Sequence, residues 1–378
     1  MEKTPKTVML YGPVVAKLEG AYGGGTGGYT RKMGLYLNYF RSKDFRMVPV
    51  FHTIKGQYRF GFFVVRFFLD IWVFLRGLLQ LRPDVVHILA QYRTAVPREY
   101  ALLILAGLFR VPVVYEIKAG VFVTWYKSTN PVFRYMSHFC LRRSQVVLCQ
   151  GMPYVEFLRD ALGIEGHYYP NFVADDEIPA QIGPKLAEET MRVCFVGYAF
   201  RDKGVFELVE GCRNASKVAP IHLTLIGKEH EEFTQWMDGL DLGDRFTVER
   251  KGRLPHDEVL VEYQKNDIYC YPTRHKGEGH NNSINEAMMM GLVIITTRQG
   301  FLGSILSPER AYFLDEVATS QVQGVLERIG TNREEAIEKG HKVRKHLLQN
   351  FTSSVAYHKL ENHYRRAIGI AEQMPEKV

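Results

Sequence analysis

The feature that most restricts the fold is a repeated pairing of short apolar runs, rich in Val, Ile and Leu, with longer segments of helical periodicity. In the first half the runs lie at 8–11, 47–51, 85–89, 113–117 and 146–149, with helices expected over 29–40, 60–79, 100–109 and 132–143. Strands with so little polar alternation belong to parallel sheets covered on both faces. The scheme restarts at 193–196 and continues through 223–226, 247–250 and 268–271, with helices expected over 205–212, 231–238 and 257–265. Between the two series, 169–185 carries three prolines and the acidic cluster Asp175, Asp176 and Glu177 without apolar periodicity, which marks a hinge. A length of 378 residues also exceeds what one core usually supports. The expectation is an α/β chain of two facing Rossmann-like domains, 1–172 and 191–350, joined by a linker at 173–190. A helix within 351–378 is expected to pack back on the first domain. Ligands of such sheets bind beyond the carboxyl ends of the strands, so the chemistry is expected in a cleft between the domains.

Charge is unevenly shared. Residues 1–172 hold 22 Lys and Arg against 10 Asp and Glu, a balance of +12 within a whole-chain net charge of +7, so the remainder is acidic by 5. A basic half can face nucleic acid, anionic lipid or a phosphorylated acceptor. Nucleic acid is disfavoured, because no recognised module and no interleaved aromatic and basic run is present. The five cysteines, Cys140, Cys149, Cys194, Cys212 and Cys270, are odd in number and lack CxxC spacing, which reads as buried thiols rather than a disulfide framework or a zinc site. The amino terminus runs from a charged tail straight into a strand, without the apolar centre of a secretory signal, so a cytoplasmic protein is expected.

The most apolar stretch, 60–79, is interrupted by Arg66, Asp70 and Arg76, which argues against a membrane span. On a helical wheel Arg59, Arg66, Asp70 and Gly77 share one stripe, and Asp70 can pair with Arg66. The remainder is apolar, either as a helix buried on the sheet or as a face that docks into a lipid interface.

The strongest chemical signal is Glu278-Gly279-His280-Asn281-Asn282-Ser283-Ile284-Asn285-Glu286-Ala287, a turn after the strand at 268–271 that feeds an apolar helix ending at Gly291. Amides of Asn281, Asn282 and Ser283 at a helix start suit a diphosphate or sugar hydroxyls, with a carboxylate on either side. Ser283-x-x-Glu286 is also a capping box, which would make Glu286 structural. These residues resemble the E-x7-E motif of the retaining glycosyltransferase family 4, whose members have the GT-B fold. The likeness extends over 252–300. It implies that Glu278 contacts the transferred sugar and Glu286 binds the ribose, while His280 and Asn282 help select the sugar.

A second match follows the first strand of the second domain, at Gly197-Tyr198-Ala199-Phe200-Arg201-Asp202-Lys203-Gly204. The family pattern is G-R-x-x-x-x-K-G, whose cations neutralise the diphosphate. Lys203 and Gly204 fit, Tyr198 replaces the usual Arg, and Arg201 is the candidate to supply the missing charge. If not, Lys203 merely solvates a loop. The glycine-rich loop at 22–31 contains a GxGxxG match at Gly23, Gly25 and Gly28, but the second strand ends at Phe51-His52 without the acid a dinucleotide enzyme needs. Gly27-Gly28-x-x-Arg31 resembles the family's G-G-x-x-R, which faces the donor diphosphate. Lys118 stands where many members have a histidine near the donor sugar; Glu116 is its alternative, purely structural partner.

No DxD pair occurs, so cationic side chains and a helix dipole are expected to serve in place of a metal, and no cofactor is expected. The resemblance implies a retaining, metal-independent transferase using a UDP- or GDP-linked hexose. The acceptor would be a lipid-linked glycan of a bacterial surface polysaccharide, with the enzyme peripheral on the inner face of an anionic plasma membrane. A nucleotide-sugar epimerase or hydrolase, or a transferase with a soluble acceptor, is the alternative.

Overall fold

The computed structural model describes residues 4–13, 16–18, 21–23, 28–52, 62–118 and 120–370. The chain divides into two compact units, Met1–Ala174 with Ser353–Val378, and Asp175–Thr352. Each is built on a six-stranded, all-parallel sheet.

The first sheet has the order Phe45–His52, Lys6–Pro13, Val85–Ala90, Val113–Ile117, Val146–Cys149, Gly166–Tyr168. Its central strands are buried along their whole length, which is why their sequences are largely apolar, with only His87 and Glu116 as buried polar exceptions. The terminal helix Ser353–Ala367 belongs to this unit. Tyr357, Leu360 and Tyr364 enter a core with Val8, Tyr36, Phe40 and Phe45, and Arg365 bonds Asp44 at 2.6 Å.

The helix Phe62–Leu81 sits on this sheet with its polarity inverted. Two members of the charged and small stripe turn inward: Asp70 is 2% exposed and accepts from Arg98 Nη1 at 2.9 Å, and Gly77 is buried with Phe74 and Leu78, while Arg66 is half-buried. The apolar residues Val64, Val65, Phe68, Leu69, Trp72 and Leu79 point to solvent, Phe68 at 64% and Trp72 at 60% exposure. The helix is thus only partly core, and a partner of Asp70 comes from the next helix, Val96–Leu108. Among the described residues no helix is long and apolar enough to cross a membrane.

The second sheet runs Phe246–Gly252, Ile221–Ile226, Met191–Val196, Ile268–Tyr271, Val293–Thr296, Ala311–Phe313, a 3-2-1-4-5-6 order in chain sequence. The order reverses between Met191–Val196 and Ile268–Tyr271, and a ligand of such a sheet sits outside the carboxyl ends at that reversal. The loops leaving these two strands therefore form the place to look. Two helices that lack a clean period in the sequence, Phe122–Ser128 and Met152–Leu162, complete the first unit.

Candidate active site

Close contact between the two reversal-point loops brings together side chains far apart in sequence. The loop after Met191–Val196 makes a short turn at Arg201–Lys203 and ends at Gly204, with φ +68°. A Cβ on Gly204 would stand 2.0 Å from the Pro272 carbonyl oxygen, so only glycine permits both the left-handed backbone and the approach. The Arg274 amide donates to the Asp202 carbonyl at 2.8 Å and ties the loops from the other side.

Lys203 and Glu278 meet there. Lys203 Nζ donates to Glu278 Oε1 and, at 2.6 Å, to the Tyr271 hydroxyl. The same carboxylate oxygen accepts from Tyr271 at 3.0 Å and from the Thr273 hydroxyl at 3.1 Å. The pair is nearly dry, with side-chain exposures of 13% and 5%. A carboxylate so enclosed needs these donors, because an unpaired buried charge costs several kcal/mol. Burial, reinforced by the Glu278 charge, holds the Tyr271 phenol well above its ordinary range, so it remains a proton donor. Tyr271 and Thr273 carry no sequence signal of their own. Their position at the end of a fully apolar strand, just ahead of Glu278, is the cue that was available.

The helix after the turn begins earlier than expected and is capped differently. It spans Asn282–Met289, and its cap is Asn281, whose side-chain oxygen accepts from the Ser283 amide at 3.1 Å and the Ser283 hydroxyl at 2.9 Å. The capping box of Ser283 with Glu286 is therefore not the cap of this helix. Ser283 lies within the first turn, and its amide, one of the three expected to face an anion, is already taken. Its hydroxyl bonds Tyr269 at 2.7 Å. Glu286 lies inside the helix at 4% exposure. His280 is buried too, Nε2 against Asn285 Oδ1 at 2.7 Å with its ring edge-on to Phe351.

Other expected members lie apart. Arg201 is exposed, its Nε 3.0 Å from Glu232 Oε1 and its guanidinium over the Phe206 ring, so its charge is engaged away from Lys203 and Glu278. Tyr198 is half-exposed, with the Lys228 ammonium 5.8 Å from its ring centre. Lys228, Glu229, Arg250 and Arg253 line a cavity of about 560 Å3 at the carboxyl ends of Ile221–Ile226 and Phe246–Gly252. Gly197 directly follows the strand Met191–Val196, with φ +156°. Among the described residues no group of His, Cys, Asp and Glu could hold a metal ion.

In the first unit, Lys118 follows Val113–Ile117 and donates to Asn171 Oδ1 at 2.5 Å. It is buried, 3.5 Å from Glu116 Oε1, so the ion pair considered from the sequence is formed. Lys32 stands 3.9 Å from the same oxygen, and Tyr36 donates to Glu116 Oε2 at 2.7 Å. Burial pulls both lysines below their ordinary range, only partly opposed by Glu116. For Glu116, burial works to raise the pKa, but the charges of Lys118 and Lys32 outweigh it and hold the carboxyl well below the usual range. Gly28 opens the helix Gly28–Tyr39, whereas Gly27, Gly25 and Arg59 lie outside the described residues.

Residues 190–361 match the family model for glycosyl transferases group 1. The matched stretch falls mainly in the second unit. Over 205 residues the chain is 22% identical to the capsular polysaccharide biosynthesis glycosyltransferase CapM of Staphylococcus aureus, an alignment covering 53% of this chain and 52% of CapM. The match thus spans about half of that relative. Among solved structures, a sucrose-phosphate synthase from Thermosynechococcus elongatus superposes with a TM-score of 0.70 at 14% identity, covering 96% of this chain and 99% of that one. Anabaena HepE in complex with UDP and glucose gives 0.66 at 11% identity, covering 95% and 99%. The fold is that of the GT-B glycosyltransferases, and Lys203, Glu278 and Glu286 all lie within the residues that match the group 1 model.

Proposed function

We propose that this chain is a retaining, metal-independent glycosyltransferase. It moves a hexose from a UDP- or GDP-linked donor to a hydroxyl of a lipid-linked glycan in cell-envelope polysaccharide synthesis. The reading is carried by the Lys203–Glu278 pair at the strand-order reversal of the second sheet. An ammonium has three N–H donors. Lys203 gives two to Glu278 and Tyr271, and the third is assigned to the departing diphosphate. Stabilising leaving-group charge in this way is the main task when no metal serves, and the dipole of the Asn282–Met289 helix adds to it.

Glu278 orients the sugar rather than attacking it, because its Oε1 is saturated by three donors and Oε2 remains for a sugar hydroxyl. The acceptor oxygen attacks the anomeric carbon on the face the diphosphate leaves. The C–O bond to phosphate breaks as the new one forms, and the acceptor proton passes to the departing phosphate. Glu286 is assigned to the ribose, and the cavity beside Lys228 and Arg253 has room for a nucleoside. Gly27, Gly28 and Lys118 are assigned to the donor phosphates and an acidic acceptor. The name of CapM supports a polysaccharide product, and the UDP and glucose bound to HepE support a nucleotide-sugar donor.

The basic first unit and the outward apolar face of Phe62–Leu81 support peripheral attachment to the inner face of an anionic membrane. A thermal-shift screen of nucleotide sugars identifies the donor, since a ligand of the native state raises the melting temperature. With that donor, Glu278→Ala is expected to lose transfer of radiolabelled sugar by roughly 100-fold or more. Unchanged transfer would remove Glu278 from the site.

A further inference from the structure

A second cavity, also of about 560 Å3, opens at the opposite edge of the first sheet. It lies against the starts of Lys6–Pro13 and Val113–Ile117 and the ends of Val96–Leu108 and Ser353–Ala367. Three cations line it, Lys6, Arg110 and Arg143, against one acid, Asp84. Asp84 is already held by Lys6 Nζ at 2.9 Å and the Thr7 amide at 2.8 Å. Among the described residues neither Arg110 nor Arg143 is paired with a carboxylate. The Arg143 guanidinium lies across the helix at Gly107, with Nη2 3.2 Å from where a Cβ would stand.

Backbone strain is found at the same place, one of four such non-glycine positions among the described residues, with Arg82, Arg93 and Leu186. Arg110 follows the helix Val96–Leu108 with φ +56°, a position that ordinarily selects glycine or asparagine. Strain kept for the sake of a side chain is a pointer to function. Ile370 lines the cavity at 43% exposure, and Leu108, next in sequence to the lining Gly107, is 73% exposed. The neighbouring helix, Phe62–Leu81, carries the outward apolar face described above and packs beside Val96–Leu108.

We propose that this cavity receives the phosphate of an anionic lipid headgroup, with Arg110, Arg143 and Lys6 on the phosphate and Leu108 and Ile370 entering the interface. A free phosphate ester offers the same charge, but it gives no reason for an exposed apolar rim beside an apolar helix face. The proposal deepens the membrane reading above and rests on it for the lipid alone.

The test uses the full chain and co-flotation with phosphatidylcholine vesicles, with and without phosphatidylglycerol, at low salt. Each basic residue near such a surface is worth about a fivefold change in partition, so Arg110→Gln with Arg143→Gln should bind the anionic vesicles about 25-fold less. Arg110→Gly should relieve the strained φ and raise the melting temperature while still lowering partition about fivefold, a combination that a structural role does not give. Wild-type partition by the double variant overturns the proposal. So does stabilisation of the wild type, but not of the double variant, by soluble glycerol phosphate in a protein that ignores the vesicles, since the site would then serve a soluble ester. Donor-induced thermal shift is read in parallel. If no nucleotide sugar stabilises the protein yet partition depends on Arg110 and Arg143, the transferase reading fails and this one stands.

Discussion

Lys203→Met leaves Glu278 as a carboxylate at 5% side-chain exposure, still bonded by Tyr271 and Thr273 but without its counter-charge. Removing one partner of a buried pair costs about 3–5 kcal/mol, and the two remaining hydroxyl donors lower the expected value to about 2–3 kcal/mol. Adding Glu278→Gln removes the uncompensated charge and keeps the side-chain volume. The double variant is therefore expected within about 1 kcal/mol of wild type, a coupling of about 2 kcal/mol. For a unit of this size each kcal/mol moves the midpoint by roughly 2–4 °C, so Lys203→Met should melt about 5–10 °C low and the double variant within a few degrees of wild type. The readout is the melting transition of the second unit, followed by urea titration of all four proteins. Additive losses, with no recovery in the double variant, would refute the argument, because they would mean that the two charges do not compensate each other in solution. Transfer activity is expected to be lost in all three variants, so stability and catalysis separate cleanly.

Gly204→Ala drives a methyl onto the Pro272 carbonyl at a left-handed position, and a loss of more than about 2 kcal/mol in urea titration, with loss of transfer, is expected. Asn281→Ala removes the cap of the Asn282–Met289 helix, and a loss of about 1 kcal/mol with weaker donor binding should appear in titration calorimetry. Burial, aided by the charges of His167 and Arg366, pulls His363 down to about 3. The unfolded imidazole takes up its proton near pH 6.5 and the folded one does not, so stability falls as pH drops from there toward 3. Between pH 7 and 5 this term costs the wild type about 2 kcal/mol, and His363→Gln should lose about that much less on the same descent in urea titration. Phe68→Ser with Trp72→Ser should lower vesicle flotation without altering donor-induced thermal stabilisation.

What could be read in advance follows the range of the interactions. Fully buried strands such as Val146–Cys149 and Ile268–Tyr271 announce themselves because both faces are apolar, and their order with intervening helices dictates parallel sheets. Glu278 was visible from its motif, but its pairing with Lys203 joins residues 75 positions apart and depends on how two loops meet at Gly204. The cap was misplaced by two residues because Asn281 and Ser283 are both good cap formers, and only the backbone path selects between them. The 62–81 helix is ambiguous in the sequence for a different reason. Its wheel separates polar from apolar residues but does not show which side meets the sheet, and Arg98 on the next helix, as its partner, draws the side that bears Asp70 inward. Arg201 lies close to Lys203 in sequence, whereas Glu232 on a helix 31 residues later engages its charge.

That inverted helix has a practical consequence for anyone handling the molecule. Six large apolar side chains line its outer surface, and in plain buffer they have only one another to associate with. Concentrated preparations should stack helix to helix and sediment as mixed aggregates, and a mild detergent micelle should disperse them. The particle size observed would then report the additive chosen as much as the polypeptide itself.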